Sequence, residues 1–545
     1  MTLRENNWDG RLQPDHAPRS VASNQPSQRQ GLGICDQSHV RAHLNIRFVR
    51  NSAFGTIAAV CNTAANFLSG LIVARLLGVE GVGTYSFAVW IIAVATTITG
   101  AGLPFTLTRY LPEYAVVDGE QKARGLAAFL LRPVFAFNML PIAIAISCII
   151  WFSRGDTGQA LLRDPLLCLL IGLSCAAQGL GDFAKAYLRG MHAMDRVARI
   201  SSIAMFLQLV LIVLGSLQFG VQGAMFGYLI GAVLPIIPIR DFWREKPYAP
   251  AETKRRLFKY ARYRWASEIG AAFVFSRIEI FFLHAFWGAQ SVGYLAASLT
   301  LANLAIQGPL MLSWGLLPHF SEKFGQKDMD GLRAAYASGT RIMGFLILPA
   351  CFGLAAIVPV LLPLLFGQAF SDAVPSAVVL VAAASVPATA TVGANLIWAM
   401  ERSDVDFYLG IVGAVLSVSG GLLLIAPFGL MGAAYSRAIT QCVVIGLGTW
   451  FLWRRLGFDV PFNALARLLL AALLCAGTAR LCLIVMPTPL GVVVAIAMGA
   501  FTYLAAVRVF GGLETEDIAK IRSLADHLPV SAGAIAHRLV YYALG

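Results

Sequence analysis

The chain has 545 residues, of which 58% are hydrophobic and only 13% are charged. A soluble chain of this length carries roughly twice that share of charge, so the composition excludes an ordinary soluble domain. The formal net charge of +13 fits basic residues in the cytoplasmic loops of a membrane protein. We therefore expect no nucleic-acid partner.

Apolar stretches of about 17–25 residues, the length needed to cross a bilayer, recur along most of the chain. They predict an all-α polytopic membrane protein with about fourteen transmembrane helices. Six of them form a segment that we call the N-lobe (49–240), near 54–77, 82–103, 126–151, 165–187, 199–217 and 220–238. Six more form the C-lobe (258–455), near 260–286, 290–315, 341–366, 372–398, 406–427 and 430–452. Two appended helices lie near 465–486 and 488–508, within 456–510.

The segments outside the spans are polar. Residues 1–48 lack an apolar core, which predicts a disordered cytoplasmic tail rather than a signal peptide. A cytoplasmic linker (241–257) joins the lobes. The last segment (511–545) predicts a cytoplasmic tail with an amphipathic helix at 515–528 that lies on the membrane or on the bundle.

Lys and Arg are distributed unevenly between the connections. With the N-terminus inside, almost all of them fall in the cytoplasmic connections, and the opposite connections hold only Arg154 and Arg163. This bias predicts that both termini are cytoplasmic.

The two lobes repeat one another at an offset of 209–210 residues. The matching landmarks, in the same order, are Gly78 with Gly288, Gly83 with Gly293, Asp195 with Asp404, and Phe219-Gly220-x-x-Gly223-Ala224 with Phe428-Gly429-x-x-Gly432-Ala433. Six helices return the chain to its starting side, so the repeats are parallel and related by an axis along the membrane normal. Folds of this kind bind substrates between the lobes, near the midplane.

The motifs at the turns and helix ends are distinctive. In the N-lobe they are Arg75-Leu76-Leu77-Gly78, Gly83-Thr84-Tyr85-Ser86 and Gly102-Leu103-Pro104 through Thr108-Arg109-Tyr110. In the C-lobe they include Gly293-Tyr294, Leu365-Phe366-Gly367 and Phe428-Gly429-Leu430-x-Gly432-Ala433-Ala434. Over roughly residues 50–510 they resemble the polysaccharide transporters, the Wzx-type flippases of the multidrug/oligosaccharidyl-lipid/polysaccharide exporter superfamily.

The resemblance implies two six-helix lobes with two appended helices and alternating access between the two sides of the bacterial inner membrane. It also implies the cargo, an undecaprenyl-diphosphate-linked oligosaccharide such as an O-antigen or exopolysaccharide repeat unit. As partners we expect this lipid, the bilayer, and a glycan polymerase with its chain-length machinery.

Ionisable side chains inside the spans are costly, which makes them candidates for the substrate site. The seventh span (260–286) holds the most. As one continuous helix it would place Glu268 and Glu279 on one face, and Arg277 and His284 on the opposite face. A helix with charge on two faces must border a hydrated cavity or pair with other helices.

Arginine suits a lipid diphosphate because its guanidinium group matches phosphate oxygens in a bidentate way. We therefore predict that the cavity is lined by Arg277, Arg437, Arg132 and Arg75, with Glu279 and His284 as further candidates. For Arg75 the alternative is to snorkel to the interface. For the pairs Arg264–Glu268 and Asp182–Lys185 the alternative is an ion pair at the cytoplasmic ends of the helices.

Prolines crowd the ninth span at Pro349, Pro359 and Pro363, and Pro387 lies in the tenth. They indicate either interrupted helices, which transporters use at binding sites, or plain kinks.

Three functions fit a chain of this kind. The first is the lipid-linked oligosaccharide flippase. The second is a cation-coupled multidrug exporter of the same superfamily, and the third is a membrane polysaccharide polymerase or ligase. Because the external connections are short and no catalytic or metal-binding motif is present, we expect a transporter that needs no cofactor rather than an enzyme.

Overall fold

The computed structural model of the chain describes residues 35–152, 164–275 and 277–526. The chain divides into two compact units, Met1–Ser52 and Ala53–Gly545. Of the first unit, the described part is helical from Cys35 onward.

The described residues form α-helices joined by short 3₁₀ turns and loops, and they contain no strand. The first eight helices are α1 (Cys35–Thr99), α2 (Leu103–Val117), α3 (Glu120–Phe152), α4 (Pro165–Gly190), α5 (Met194–Val233), α6 (Ala251–Phe275), α7 (Glu279–Leu312) and α8 (Leu316–Gly325). The others are α9 (Met329–Phe366), α10 (Val374–Ala383), α11 (Ser385–Ala399), α12 (Ser403–Gly420), α13 (Ala426–Leu456), α14 (Phe462–Val485), α15 (Pro489–Phe510) and α16 (Thr515–Asp526).

Ten helical segments in the described residues are long and apolar enough to cross a membrane. This confirms the predicted all-α polytopic class. Four helices contain a glycine with a positive φ at which the helix breaks: α1 at Gly78, α5 at Gly220, α7 at Gly288 and α13 at Gly429. These are landmark glycines of the sequence repeat. The count of about fourteen spans stays a prediction.

The break at Gly220 folds α5 into a tight hairpin. A Cβ atom on Gly223 would lie 2.0 Å from the carbonyl oxygen of Gly215. In the second repeat, a Cβ atom on Gly432 would lie 2.0 Å from the carbonyl oxygen of Leu424. Backbones can approach this closely only where small residues occur. The glycines at equivalent positions therefore show that both repeats pack in the same way.

The helices pack mainly within their own lobe. In the N-lobe, α4 packs against α2, α3 and α5, and in the C-lobe, α9 packs against α7, α10 and α11. The helix α6 contacts both lobes, because it packs against α2 and α12. The appended helices α14 and α15 pack against each other and against α9.

One prediction about these elements is wrong: the span 260–286 is not one helix, since α6 ends at Phe275 and α7 begins at Glu279. The disordered cytoplasmic tail at 1–48 stays a prediction, because residues 1–34 lie outside the described residues; the helix α1 begins at Cys35. The end of the predicted cytoplasmic tail (527–545) also lies outside the described residues.

The prolines have different effects in the two spans that contain them. The helix α9 runs from Met329 to Phe366 through its three prolines without a break. The tenth span is divided at Ala384, between α10 and α11. The prolines of the ninth span are therefore plain kinks at most.

The helix α16 is held against α9 by a buried ion pair. Arg341 Nε donates to Asp517 Oδ2 at 2.6 Å, and Arg341 Nη2 donates to Glu514 Oε2 at 2.9 Å. Ser338 Oγ donates to Asp517 Oδ1 at 2.6 Å. Burial by itself raises the pKa of the Asp517 carboxyl, but the hydrogen bonds from Arg341 and Ser338 hold this pKa below its ordinary value. The predicted amphipathic helix thus docks on the bundle through a carboxylate.

We predict that Asp517→Asn releases α16. The variant removes the buried carboxylate and leaves Arg341 with the exposed Glu514 alone, a loss below the roughly 3–5 kcal/mol of a fully unpaired buried charge. Trypsin should then cleave at Lys520 faster than in the wild-type protein, measured in detergent at neutral pH. Because the folded-state pKa of Asp517 is lowered, wild-type docking is at full strength above the ordinary aspartate pKa of about 3.9. It is lost as the pH falls through the lower folded value.

The matched control is Glu516→Gln, which changes an exposed neighbour on the same helix. Equal cleavage rates in the two variants would contradict the role of the ion pair.

Candidate substrate site between the lobes

The helices α1 and α7 cross closely just after their glycine breaks. A Cβ atom on Gly83 would lie 1.7 Å from the carbonyl oxygen of Ala289, and a Cβ atom on Gly293 would lie 2.1 Å from that of Val79. Two glycines at equivalent places in the repeats thus let the lobes touch backbone to backbone. The crossing adjoins two connections predicted to be external, so it closes that side of the space between the lobes.

Arg75 lies at the same end of the molecule and joins the lobes in another way. Its Nε and Nη2 groups donate to the carbonyl oxygens of Leu365 and Leu364. These carbonyls belong to the last turn of α9, where no further helical amide can bond them. Arg75 therefore satisfies a helix terminus instead of lining the cavity as predicted.

Aromatic rings fill the next layer between α1 and α7. His284 stacks on Phe87, with ring centroids 3.8 Å apart and planes 5° apart. Phe281 lies against Trp90 at 6.1 Å. His284 is thus part of the contact between the lobes.

The interruption of the seventh span places Arg277 at a break between two helices. Arg277 has a φ of 61°, a left-handed conformation that is strained for a residue with a side chain by roughly 1–3 kcal/mol. The Ile280 amide donates to the Arg277 carbonyl at 2.9 Å and starts the new helix. At membrane depth, such a break is tolerated only inside protein or beside water.

Glu279, the first residue of α7, meets an arginine from a distant part of the C-lobe. Arg437 Nη1 of α13 lies 3.5 Å from Glu279 Oε1, and the two side chains are 18% and 5% exposed. The positive end of the α7 dipole also favours a carboxylate at this position. Among the described residues Arg437 has no other ion pair, so most of its guanidinium donors are available to a second anion.

Arg277 completes a charged centre with these two residues. It lies near enough to Arg437 and Glu279 to interact electrostatically with both. Two guanidinium groups and one carboxylate leave a formal surplus of one positive charge. Three of the six predicted site residues, Arg277, Glu279 and Arg437, therefore come together in the structure.

A cavity of about 270 Å³ that carries several polar side chains lies where the end of α1, the start of α2, α4 and α6 meet. Its lining includes Thr96, Thr97, Thr108, Asp182, Arg189 and Glu268. Glu268 is seven residues before the end of α6, which is about 10 Å of helix. The last two turns of α6 thus separate the cavity from the charged centre.

Contacts between α6 and the N-lobe hold this cavity wall in place. Trp265 Nε1 donates to the carbonyl oxygen of Ile98 at 2.9 Å. Arg264 pairs with Glu268 and lies over the ring of Phe105, 4.3 Å from its centroid. The local pairs Arg264–Glu268 and Asp182–Lys185, the latter at 2.7 Å, are formed as the spacing predicted.

Arg132 does not join the site. It is exposed on the face of α3 that also exposes Phe135, Leu140 and Ile144. The shared faces predicted for the seventh span are also wrong, because the break separates Glu268 from Glu279. The three threonines of the cavity were not predicted, because small polar residues are common in membrane helices and these three carry no distinguishing signal.

Comparisons with known proteins bear on this site. The model of a family described as polysaccharide biosynthesis protein matches residues 72–375. A protein of Haloferax volcanii named "Probable low-salt glycan biosynthesis flippase Agl15" is 19% identical over 428 residues, which cover 77% of this chain and 87% of that protein. Stage V sporulation protein B of Bacillus subtilis is 21% identical over 194 residues, 34% of this chain and 36% of that protein.

Two solved structures have a similar fold. The lipid II flippase MurJ in an inward closed conformation has a TM-score of 0.69 at 13% identity, covering 84% of this chain and 98% of MurJ. An inward-facing multidrug resistance MATE family transporter of the MOP superfamily has a TM-score of 0.59 at 17% identity, covering 74% of this chain and 95% of that transporter. The chain therefore has the fold of these membrane transporters.

We predict that Gly83→Ala opens the crossing of α1 and α7. The new methyl group would overlap the Ala289 carbonyl, and the helices must separate by roughly 2 Å to reach ordinary contact. Spin labels at Glu80 and Gln368 should report a longer distance than in the wild-type protein. The control is Gly308→Ala on α7, where a Cβ atom meets nothing within 4 Å; an unchanged distance in Gly83→Ala would contradict the closure.

We also predict that Arg437→Ala destabilises the protein by about 3 kcal/mol, because Glu279 remains buried without its partner. The double variant Arg437→Ala/Glu279→Ala should regain most of this loss. Unfolding in mixed micelles measures both, and Arg480→Ala, at an exposed arginine of α14, is the control. A double variant as unstable as the single one would show that the pair itself is not the cause.

Proposed function

The chain belongs to the polysaccharide biosynthesis protein family, and from that premise we propose that it is a flippase for a lipid-linked oligosaccharide. The proposed cargo is an undecaprenyl-diphosphate-linked repeat unit of O-antigen or exopolysaccharide. It moves from the cytoplasmic to the periplasmic leaflet of the bacterial inner membrane. The observation that carries this proposal is the partly buried, net positive centre of Arg277, Arg437 and Glu279, in which Arg437 pairs with the buried Glu279.

The diphosphate is the part of the cargo whose charges most need the protein to replace their solvation. Its charges cannot enter hydrocarbon alone, because an isolated ion loses many kcal/mol of solvation there. Arg277 and Arg437 replace that solvation with charge-assisted hydrogen bonds. Since Arg437 meets Glu279 through a single long contact, the phosphate can share Arg437 without first displacing a tight bidentate pair.

The sugars of the head group would occupy the cavity beside α6. Threonine hydroxyls and the carboxylates of Asp182 and Glu268 match the hydroxyl groups of a sugar as hydrogen-bond partners. The last two turns of α6, about 10 Å of helix, separate the cavity from the charged centre. The polyprenyl tail stays in the bilayer throughout.

The break at Arg277 suits alternating access between the two sides. The helix α6 packs against both lobes, whereas α7 begins on the other side of the break. A relative rotation of the lobes would therefore bend the chain at Arg277, where the phosphate binds. In this way cargo binding and lobe movement act on the same residue.

The alternative functions have less support. A cation-coupled exporter would use a buried carboxylate to bind its cation, but Glu279 is already paired with Arg437. A polymerase or ligase would be expected to carry long external loops, and the sequence predicts short external connections.

The flippase proposal predicts that Arg277→Ala and Arg437→Ala each reduce transport at least tenfold, the equivalent of about 1.4 kcal/mol. Purified variants are reconstituted into vesicles that contain a polyprenyl-diphosphate oligosaccharide, and the rate at which its sugars become accessible to an external glycosidase is measured. Arg437→Lys should retain part of the activity because it keeps the charge. Arg480→Ala, outside the site, should behave like wild type.

The same variants are compared in cells for surface glycan and for drug susceptibility, with membrane levels of the protein as a control. Wild-type transport in both alanine variants would exclude the arginine centre. Normal glycan with increased drug susceptibility would favour the exporter instead.

A further inference from the structure

One face of α4 forms a wall of the cavity beside α6. Gly179, Asp182, Ala186 and Arg189 line this cavity. Their spacing of three, four and three residues places them in one row along the helix. The two small residues leave room between the charged ones. Arg189 lies in the last turn of α4, at the end of the row.

Both carboxylates of the cavity are paired with a cation of their own helix. Lys185 Nζ lies 2.7 Å from Asp182 Oδ1, and Arg264 forms an ion pair with Glu268. Arg189 is exposed, and within the described part of the chain its side chain has no ion pair or hydrogen bond. The cavity therefore carries one uncompensated positive charge, and it belongs to Arg189.

The three threonines of the cavity offer acceptors rather than donors. The hydroxyls of Thr96, Thr97 and Thr108 each donate to the carbonyl oxygen four residues earlier, at 2.8, 2.9 and 3.0 Å. A hydroxyl has a single proton to donate, so only the lone pairs of these oxygens remain for a ligand. Among the polar side chains that the structure describes in this lining, Arg189 thus has the donors that are still free.

We infer that Arg189 binds a carboxylate on a sugar of the cargo, so that the protein selects oligosaccharides that contain an acidic sugar such as a hexuronate. This inference rests on the proposed function, because it concerns the sugars in the same cavity. A guanidinium group matches a carboxylate through two parallel hydrogen bonds. Since Lys185 and Arg264 neutralise the other two carboxylates, an acidic sugar meets no uncompensated negative charge there. The hydroxyl groups of the sugar donate to the threonine oxygens.

The position of Arg189 also indicates which sugar it binds. The connection that follows α4 is predicted to be cytoplasmic, and so is the linker from which α6 starts. Arg189 therefore lies toward the cytoplasmic side of the cavity, whereas Arg277 lies beyond the other end of α6. The acidic group thus belongs to a sugar away from the diphosphate, and Arg277 and Arg437 serve the phosphates.

The inference is tested with two cargoes and purified protein in phosphatidylcholine vesicles. One cargo is a polyprenyl-diphosphate oligosaccharide that ends in glucuronate, and the other is the same compound with its carboxyl group reduced to a hydroxymethyl group. The wild-type protein should transport the acidic cargo about five to ten times more efficiently in kcat/KM, the equivalent of roughly 1–1.4 kcal/mol. The preference is moderate because water solvates the exposed Arg189 when a neutral sugar is bound. Added salt should reduce the preference.

Arg189→Gln should abolish this preference, and Arg189→Lys should retain part of it. The matched control is Arg199→Gln, at an exposed arginine of α5 outside the cavity lining, which should keep the wild-type preference. Equal transport of both cargoes by the wild-type protein would overturn the inference and leave the flippase proposal intact. An undiminished preference in Arg189→Gln, or an equal loss for both cargoes, would also overturn it. Transport of neither cargo by the wild-type protein would contradict the flippase proposal and this inference together.

Discussion

Hydrocarbon offers no hydrogen-bonding partner to a broken helix or an isolated charge, and the break between α6 and α7 is arranged around this constraint. The break exposes backbone groups and leaves Arg277 in a strained conformation. Glu279 then begins a new helix, where the helix dipole and Arg437 both stabilise its carboxylate. Without Arg437, the Glu279 carboxylate would be buried without its partner. Without the break, Arg277 would no longer lie between the two helices.

The same constraint explains why glycine governs the contact between the lobes. Van der Waals packing and close backbone approach hold membrane helices together, because lipid is as apolar as the helices are. Gly83 and Gly293 provide that approach twice, at equivalent positions. A contact made of backbone is tight but carries no buried polar side chains, which suits a surface that separates and re-forms in the proposed transport cycle.

Arginines have four different roles in this fold, although they look alike in the sequence. Arg75 binds the carbonyls at the end of α9, and Arg341 anchors α16. Arg437 belongs to the charged centre, and Arg132 remains exposed on α3. What distinguishes them is the element that packs beside each one. The duplication makes this visible, since Arg132 and Arg341 are counterparts, 209 positions apart, and only Arg341 is covered by an appended segment.

The sequence by itself determined what depends on short range or on repetition. Length and apolarity of the spans predicted the membrane class, and the boundaries between spans fell close to the helix breaks at Gly78, Gly220, Gly288 and Gly429. Pairs such as Arg264–Glu268 form because residues four apart share a helix face.

Only the tertiary structure decided which distant residues meet. Arg75 lies 289 positions from Leu364, and no local pattern connects Glu279 with Arg437. No proline or glycine in the sequence marks the break at Arg277. Packing on both sides imposes the break, since α6 packs against α2 and α12 and α7 packs against the rest of the C-lobe. Burial and pairing are properties of the whole bundle, and for that reason the depth of a charge could be predicted from the sequence but its partner could not.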